Sequence, residues 1–290
     1  MLNNMTALVS LFVRCYHTKF SNIKIYNDPL AEKIITEEEY QSIATSMAKG
    51  IGFFNKNYKG NDPLKWKVNN QLLPSVLARS AFNEKHLLNE ISLGLKQYLI
   101  LASGYDTSFY KAKDKIKVFE LDKEEMIEDK IRRLKKAHIN NDNVTYISCD
   151  LTTDWISMLL NSSYKKEEKT FCSLLGISYY LTKETLTNVI KILSENIPKG
   201  SAIVFDYPNE LVTSKEIINE KLASLAKEPM KSRYSLSDVL SIADKSNLQT
   251  YELATPKEIN ETYFYDHNTL NPNNLIIAPD GVSYCLLIKQ

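Results

Sequence analysis

The feature that most constrains this chain is a change in the period of its apolar residues near residue 96. Up to about Leu95, apolar residues recur at spacings of three and four, which predicts helices. From Gln97 onward, short apolar runs of strand length alternate with helical patterns. Strands separated by helices form a parallel sheet with right-handed crossovers and helices on both faces. The sequence therefore predicts an α/β fold behind a helical N-terminal region.

The later part of the chain departs from this alternation. Helices are expected at Leu211–Ala226 and Leu236–Ser246, followed by a strand near Leu248–Leu253. Val282–Ile288 enters from a turn without a preceding helix, so this last strand is expected to be antiparallel. The five earlier strands are expected at Gln97–Leu101, Lys117–Leu121, Val144–Ser148, Thr170–Leu175 and Ser201–Tyr207.

Composition and charge exclude several classes of function. The chain has 36 Lys and Arg against 35 Asp and Glu, so no global field attracts nucleic acid or acidic lipid. No apolar run reaches the ~18 residues of a membrane helix, and residues 1–13 lack the basic start of a secretory signal. The cysteines are widely separated, which indicates buried free thiols in a reducing cytoplasm. We expect a cytoplasmic protein without nucleic acid, membrane or metal. The cysteines are Cys15, Cys149, Cys172 and Cys285.

The stretch between the first two strands contains the residues that indicate a function most clearly. Ala102 and Gly104 follow the first strand, and Asp122 closes the second, eighteen positions after Gly104. A cofactor lying across strand ends needs small residues for close approach and an acceptor for its ribose hydroxyls. A dinucleotide needs the three glycines of GxGxxG, whereas S-adenosylmethionine, which has no phosphate, tolerates a single glycine. A tight strand-to-helix turn remains the alternative at this point.

Longer stretches carry a family resemblance. LILASGYDTSFY, followed by VFELDKEEMIEDKIRRL, resembles the leucine carboxyl methyltransferase family, which includes bacterial O-methyltransferases of secondary metabolism. The likeness extends to the early TALVSLFVRCYHT and the late PKEIN, so it covers most of the chain. It implies a class I methyltransferase fold: a Rossmann-like sheet, mostly parallel with an antiparallel C-terminal strand, plus an N-terminal helical lid and a helical insertion.

The resemblance also implies an organisation and an activity. Residues 1–290 would form a single domain, in which the acceptor is a small molecule and S-adenosylmethionine donates a methyl group to its carboxylate or hydroxyl oxygen. A catalytically degenerate relative that binds the cofactor is one alternative, and a nicotinamide-dependent oxidoreductase is another. The implied parts are N-terminal lid and helices in 1–95, a cofactor-binding core in 96–207, a helical insertion or substrate cap in 208–247, and C-terminal strands in 248–290.

The resemblance assigns the cofactor contacts residue by residue. Arg79 would bind the methionyl carboxylate, for which a guanidinium offers two parallel hydrogen bonds. Asp122 would accept the ribose hydroxyls, Asp150 would accept the adenine amino group, and Leu151 would pack on the ring. A surface salt bridge, a helix N-cap and a turn are the alternatives for Arg79, Asp122 and Asp150. The assigned positions are Arg79, Ala102, Gly104, Asp122, Asp150 and Leu151.

Three positions depart from the family pattern. Ala102 replaces the first glycine of the loop, which is tolerable if its φ is negative. Ser108 stands where the family usually has arginine. Leu175 precedes Gly176 where the family often has glutamate, and this removes a carboxylate expected near the cofactor. The replacement of that glutamate by Leu175 is the reason to keep a catalytically degenerate, cofactor-binding relative as an alternative.

Segments outside the sheet are expected to shape the acceptor site. They are the N-terminal helix with Tyr16 and His17, and the insertion Pro208–Leu236 with Met230. His17 is a weak candidate for a general base toward a hydroxyl acceptor, with packing at the helix end as the alternative. The basic run in the helix after the second strand is expected to face solvent; it comprises Lys130, Arg132, Arg133, Lys135 and Lys136.

Overall fold

A seven-stranded sheet with the order β3-β2-β1-β4-β5-β7-β6 organises the computed structural model, which describes residues 5–112, 116–225 and 227–290. Residues 1–4 of the N-terminal segment, and Ala226 at the end of the expected helix Leu211–Ala226, lie outside the described residues. The strands are β1 Gln97–Leu101, β2 Lys117–Asp122, β3 Val144–Ser148, β4 Thr170–Leu174, β5 Ala202–Pro208, β6 Leu248–Ala254 and β7 Val282–Lys289.

The direction of the strands follows the predicted pattern. β1 through β5 pair in parallel, and β1 lies between β2 and β4, so the strand order reverses at this point. β7 runs antiparallel to β5, from Ala202 opposite Ile288 to Pro208 opposite Val282. β6 also pairs antiparallel with β7. The expected mostly parallel sheet with an antiparallel C-terminal strand is confirmed.

Helices cover both faces of the sheet, and the N-terminal region is helical as predicted. The α-helices are α1 Met5–Phe20, α2 Ala31–Ile34, α3 Glu37–Lys49, α4 Ile51–Phe54, α5 Pro63–Lys67, α6 Leu73–Ser92, α7 Glu124–Lys136, α8 Trp155–Leu160, α9 Lys183–Glu195, α10 Ser214–Leu225, α11 Leu236–Lys245, α12 Pro256–Thr262 and α13 Tyr265–Leu270. A five-residue π-helical segment, Val68–Leu72, joins α5 to α6.

Alternation along the strands divides the core into two layers. Neighbouring residues of a strand point to opposite faces of the sheet. Tyr98 and Ile100 of β1 therefore pack in a cluster with α1 and α6, while Leu99 and Leu101 pack with α8, α9 and α11. The four cysteines are buried and unbridged, as expected. Among the described residues, no helix has the length and apolar character needed to cross a bilayer.

The expectation that the basic run of α7 faces solvent is wrong for two residues. Lys130 is fully buried, with its Nζ 2.5 Å from Oε2 of Glu120 in β2. Its position between Met126 and Leu134, four residues from each, puts it on the buried stripe of the helix. Arg133 is also buried, and its Nη2 lies 2.6 Å from Oε1 of Glu39. The remaining three are exposed: Arg132, Lys135 and Lys136.

The buried pair generates a stability prediction. Lys130→Met keeps the side-chain volume but leaves Glu120 buried without its cation, so unfolding in urea should show a loss of about 3–5 kcal/mol. The double variant Lys130→Met/Glu120→Gln should recover most of that loss. Lys135→Met, on the exposed face of the same helix, should change stability by less than about 0.5 kcal/mol. Equal effects of the two single variants would contradict the assignment.

Candidate functional site

Two cavities of about 590 Å³ each meet at the carboxyl edge of the parallel strands. The first, here called the polar cavity, lies over the loops that follow β1, β2, β3 and β4. The second, the apolar cavity, lies between α1, α3, the π-helical segment and α10. Open α/β sheets bind ligands in this position, where the strand order reverses. The residues that line both cavities are Thr6, Ser10, Arg79, Gly176 and Tyr180.

Asp122 ties the end of β2 to the loop after β1. Its Oδ2 accepts the Gly104 N–H at 2.7 Å, and its Oδ1 accepts the Lys123 N–H at 2.7 Å. Burial raises the pKa of the Asp122 carboxyl, although both hydrogen bonds oppose that change. Lys123, not Asp122, occupies the N-cap position of α7. Each carboxylate oxygen retains a further lone pair, so Asp122 can also accept two hydroxyl donors from a ligand in the polar cavity.

Ala102 has a backbone conformation that alanine rarely adopts. Its φ is +51°, and that of Gly104 is +47°. The condition under which alanine is tolerable here, a negative φ, is therefore not met. An L side chain in the left-handed region costs roughly 1–2 kcal/mol because Cβ approaches the following carbonyl. The turn is held by the Ser103 N–H, which donates to the Leu121 carbonyl, and by the Asp106 N–H, which donates to the Ser103 carbonyl.

Asp150 and Leu151 follow β3 and line the polar cavity. Oδ1 of Asp150 accepts the backbone N–H of Thr152 at 2.8 Å and its hydroxyl at 2.7 Å. These hydrogen bonds lower the pKa of the Asp150 carboxyl, which is exposed and ionised. Leu151 is half-buried beside it. The pair offers one carboxylate and one apolar contact at the same end of the cavity.

Arg79 projects from α6 to the junction of the two cavities. Its Nη2 donates to the Ser10 hydroxyl of α1 at 2.9 Å, and its Nη1 lies 3.8 Å from Oδ2 of Asp206. Nη1 also lies 2.6 Å from the position that a Cβ on Gly176 would occupy, and Gly176 has a φ of +71°. The guanidinium therefore lies directly over the Gly176 backbone, where both space and conformation require glycine.

Asp206 of β5 is a site residue that the sequence reasoning missed. It is fully buried, and its Oδ1 accepts the Gly176 N–H at 2.6 Å. The Tyr179 hydroxyl donates to Oδ2 at 3.2 Å. Burial raises the pKa of the Asp206 carboxyl, while Arg79 and the hydrogen bonds act in the opposite direction. The signal was available, since Asp206 is an acidic residue inside the otherwise apolar run SAIVFDY.

Arg14 of α1 is a second residue that was missed. It is buried, lines the polar cavity and donates from Nε to Oδ2 of Asp28 at 2.8 Å. Its Nη2 donates to the Tyr105 carbonyl at 2.6 Å, which holds the loop after β1 against the helix. Its sequence signal is the helical spacing: Arg14 follows Leu11 by three residues and therefore shares its buried face.

The predicted acceptor residues are not brought together. His17 is buried, its Nε2 accepts the Ile25 N–H at 2.9 Å, and burial lowers the pKa of its imidazole to about 3. Neither His17 nor Tyr16 is among the described residues that line the two cavities, and the Tyr16 ring packs against Phe20. The contacts of His17 are therefore those of a residue packed at the end of the helix. Met230 does line the apolar cavity.

Comparisons with known proteins agree with this geometry. The family model of leucine carboxyl methyltransferase matches residues 7–194. YktD of Bacillus subtilis (strain 168), whose name assigns it as an S-adenosyl-L-methionine-dependent methyltransferase, is 37% identical over 305 residues, spanning 99% of this chain and 98% of its own.

Two solved structures share the fold at low sequence identity. A DUF574 family protein from Streptomyces avermitilis MA-4680 is 12% identical with a TM-score of 0.61, covering 98% of this chain and 97% of its own. Magnesium protoporphyrin IX methyltransferase from Synechocystis PCC 6803, solved with bound SAH, is 10% identical with a TM-score of 0.50, covering 86% of this chain and 100% of its own. The class I methyltransferase fold expected from the sequence is confirmed.

The strained loop generates the second prediction. Ala102→Gly relieves the left-handed strain but makes the unfolded chain more flexible, so the net gain should be about 0.5–1 kcal/mol. Ala137→Gly is the matched control, because Ala137 has a φ of −83° and has no strain to relieve. The control should lose about 0.4–1 kcal/mol in the same urea titration. A loss of equal size in both variants would show that the Ala102 backbone is unstrained.

Proposed function

This chain belongs to the leucine carboxyl methyltransferase family, and from that premise we propose that it transfers a methyl group from S-adenosylmethionine to a carboxylate oxygen of an apolar small molecule. The observation that carries the proposal is the junction at Arg79, Gly176 and Tyr180. There the polar cavity at the strand ends adjoins the apolar cavity, which has an equal volume. Such an arrangement suits a charged donor beside a largely apolar acceptor.

The residues around the polar cavity fit S-adenosylmethionine. Asp122 has lone pairs for two ribose hydroxyls, and Gly104 lets the loop backbone approach without a side chain. Asp150 and Leu151 lie together after β3, as an adenine amino group and ring require. The Arg79 guanidinium, at the junction, is suited to the methionyl carboxylate. The methionyl end, which carries the transferable methyl group, would thus face the apolar cavity.

The chemistry at the junction favours a carboxylate acceptor. Thr6 and Ser10 offer only hydroxyls, and burial raises the pKa of the Tyr180 phenol, so it stays protonated at neutral pH. A hydroxyl acceptor would benefit from a general base within about 3 Å, and none of the five residues that line both cavities can serve as one. Glu228, the carboxylate next to the junction, lines only the polar cavity and accepts a hydrogen bond from the Thr6 hydroxyl. A carboxylate is already ionised. It needs only alignment and the exclusion of water.

Bound S-adenosylmethionine supplies a methyl group that is already activated as an electrophile, so the protein's contribution is geometric. Arg79 would fix the donor against Gly176, and the walls of the apolar cavity would align the acceptor and exclude water. A cytoplasmic location and a small-molecule acceptor, without nucleic acid or membrane, complete the proposal. The near-zero net charge of +1 supports this part.

Two variants test separately the contacts to the methionyl end and to the ribose of S-adenosylmethionine. Arg79→Lys keeps the charge but loses the planar fork, so the Kd of S-adenosylhomocysteine should rise at least tenfold, on the order of 1.4 kcal/mol, while that of adenosine stays within twofold. Asp122→Ala should weaken both ligands at least tenfold, because both carry the ribose. Arg132→Lys, at an exposed position, is the control. Equal losses of both ligands in Arg79→Lys, measured by calorimetry, would show that Arg79 supports the fold instead.

A matched panel of acceptors tests the reaction itself. Straight-chain carboxylic acids and primary alcohols of equal length would be incubated with labelled S-adenosylmethionine, and products identified by mass spectrometry. We expect methyl esters from the acids and no ethers from the alcohols. Ethers without esters would overturn the carboxylate assignment. Failure of both S-adenosylmethionine and S-adenosylhomocysteine to bind at millimolar concentration would overturn the methyltransferase proposal.

A further inference from the structure

The apolar cavity contains a buried cation that the proposed reaction does not use. Lys67, the last residue of α5, is 3% exposed and lines this cavity. Its Nζ donates to the Met47 carbonyl at 2.7 Å and lies 3.8 Å from the centre of the Phe54 ring. An ammonium group has three donors, and one carbonyl satisfies only one of them.

Lys67 differs from Lys130, the other lysine that is buried among the described residues. Lys130 is paired with Glu120, as a buried lysine normally is. Within the described part of the chain, no carboxylate lies within 4.0 Å of the Lys67 ammonium, and burial alone lowers its pKa to about 8. The cation has therefore lost water without gaining an anion. A ligand anion that pairs with the ammonium offsets this desolvation cost, so its binding is physically favourable.

The position of Lys67 in the cavity indicates which part of a ligand it would meet. Arg79 follows Lys67 by twelve positions along the consecutive α5, π-helical segment and α6. At no more than the α-helical rise of 1.5 Å per residue, the two backbone positions are at most about 18 Å apart. Arg79 marks the junction with the polar cavity, so Lys67 marks a distant part of the same apolar cavity.

The wall between these two residues is shaped by the π-helical segment. Asn70, Gln71 and Leu72 are consecutive, and all three line the cavity. π-helical turns are rare and occur frequently at functional sites. Gln71 fixes the segment to α10, since its Nε2 donates to Oδ1 of Asn219 at 2.8 Å. The segment thus forms an ordered wall between Lys67 and Arg79.

We propose that Lys67 is an anion-binding site at the end of the apolar cavity remote from Arg79. This assignment rests on the proposed function for the role of the cavity, and it defines the class of acceptor. The acceptor is an elongated apolar molecule that carries a second, anionic group, distinct from the oxygen that receives the methyl group. The anion accepts a hydrogen bond from a Lys67 donor that the Met47 carbonyl does not use, while the apolar chain occupies the space toward Arg79.

A matched pair of ligands tests this assignment without any methyl transfer. Monomethyl sebacate has a carboxylate at one end and a methyl ester at the other, whereas dimethyl sebacate has the same chain and no charge. Calorimetry or dye displacement on the full chain, saturated with S-adenosylhomocysteine, should show at least tenfold tighter binding of the monoester. Equal affinities, or no monoester binding at millimolar concentration, would overturn the proposal.

Single variants then test whether the preference for the monoester depends on Lys67. Lys67→Met should reduce it to within twofold, while Lys65→Met, an exposed lysine on the same helix with the same charge change, should leave it intact. Gly50→Ala is a second probe that retains the lysine, because its Cβ would lie 2.8 Å from the Lys67 Nζ and displace the ammonium. The φ of Gly50 is −82°, so alanine fits its backbone. This variant should also weaken the preference at least threefold.

The outcomes separate this inference from the proposed function. A preference that depends on Lys67, in a protein that methylates neither the panel acids nor sebacate, which carries both an acceptor carboxylate and a second anion, supports the anion site and counts against the proposed reaction. Methylation without any preference for the monoester supports the reaction and overturns the anion site. A preference retained in Lys67→Met also overturns it, and would mean that the ammonium serves only the Met47 carbonyl at the end of α3.

Discussion

The carboxylate of Asp206 lies beneath the junction of the two cavities and is shielded completely from water. Its partners come from different elements: the Gly176 N–H follows β4, the Tyr179 hydroxyl belongs to the next turn, and the Arg79 guanidinium comes from α6. A buried charge without such partners costs several kcal/mol, so these contacts must form together. The position of Arg79, and with it the junction, depends on a residue that lines neither cavity.

This carboxylate also bears on the missing family glutamate. Leu175 lines the polar cavity where the resemblance leads one to expect an acidic side chain. The next residue, Gly176, is nevertheless bonded to Asp206, and Arg79 lies across the same glycine. Negative charge is thus retained beneath this edge of the site rather than on its surface. A ligand at the junction would meet Arg79 with its cationic charge partly balanced from below.

The sequence predicted most of the sheet because strand signals are local. QYLIL and SAIVFDY, for example, are apolar runs bounded by small or polar residues, and both are buried strands in the structure. The loop expected to contact the cofactor could also be located, since a strand followed by Gly104 and a second strand closed by Asp122 is a pattern along the chain. The Gly104–Asp122 hydrogen bond is its structural consequence.

What could not be predicted depends on pairs that are distant in sequence. Arg14 and Tyr105, or Arg79 and Asp206, are brought together only when α1 and α6 pack on the sheet. The sign of φ at Ala102 could not be read from an alanine, because that residue type normally excludes the conformation observed. The position of His17 could not be predicted for the same general reason: the helix face that buries it turns its Nε2 to the Ile25 N–H, and His17 lines neither cavity.

Lys130 and Lys67 show how tertiary context decides the role of one residue type. Lys130 meets Glu120 because α7 packs on β2, and the resulting neutral pair belongs to the core. Lys67 lies at the end of a short helix that packs on α3, and its ammonium contacts a carbonyl and an aromatic ring of the described residues. In water the two side chains are equivalent. Inside the fold, the first has its counter-ion in the protein, and the second faces a cavity in which a ligand can provide one.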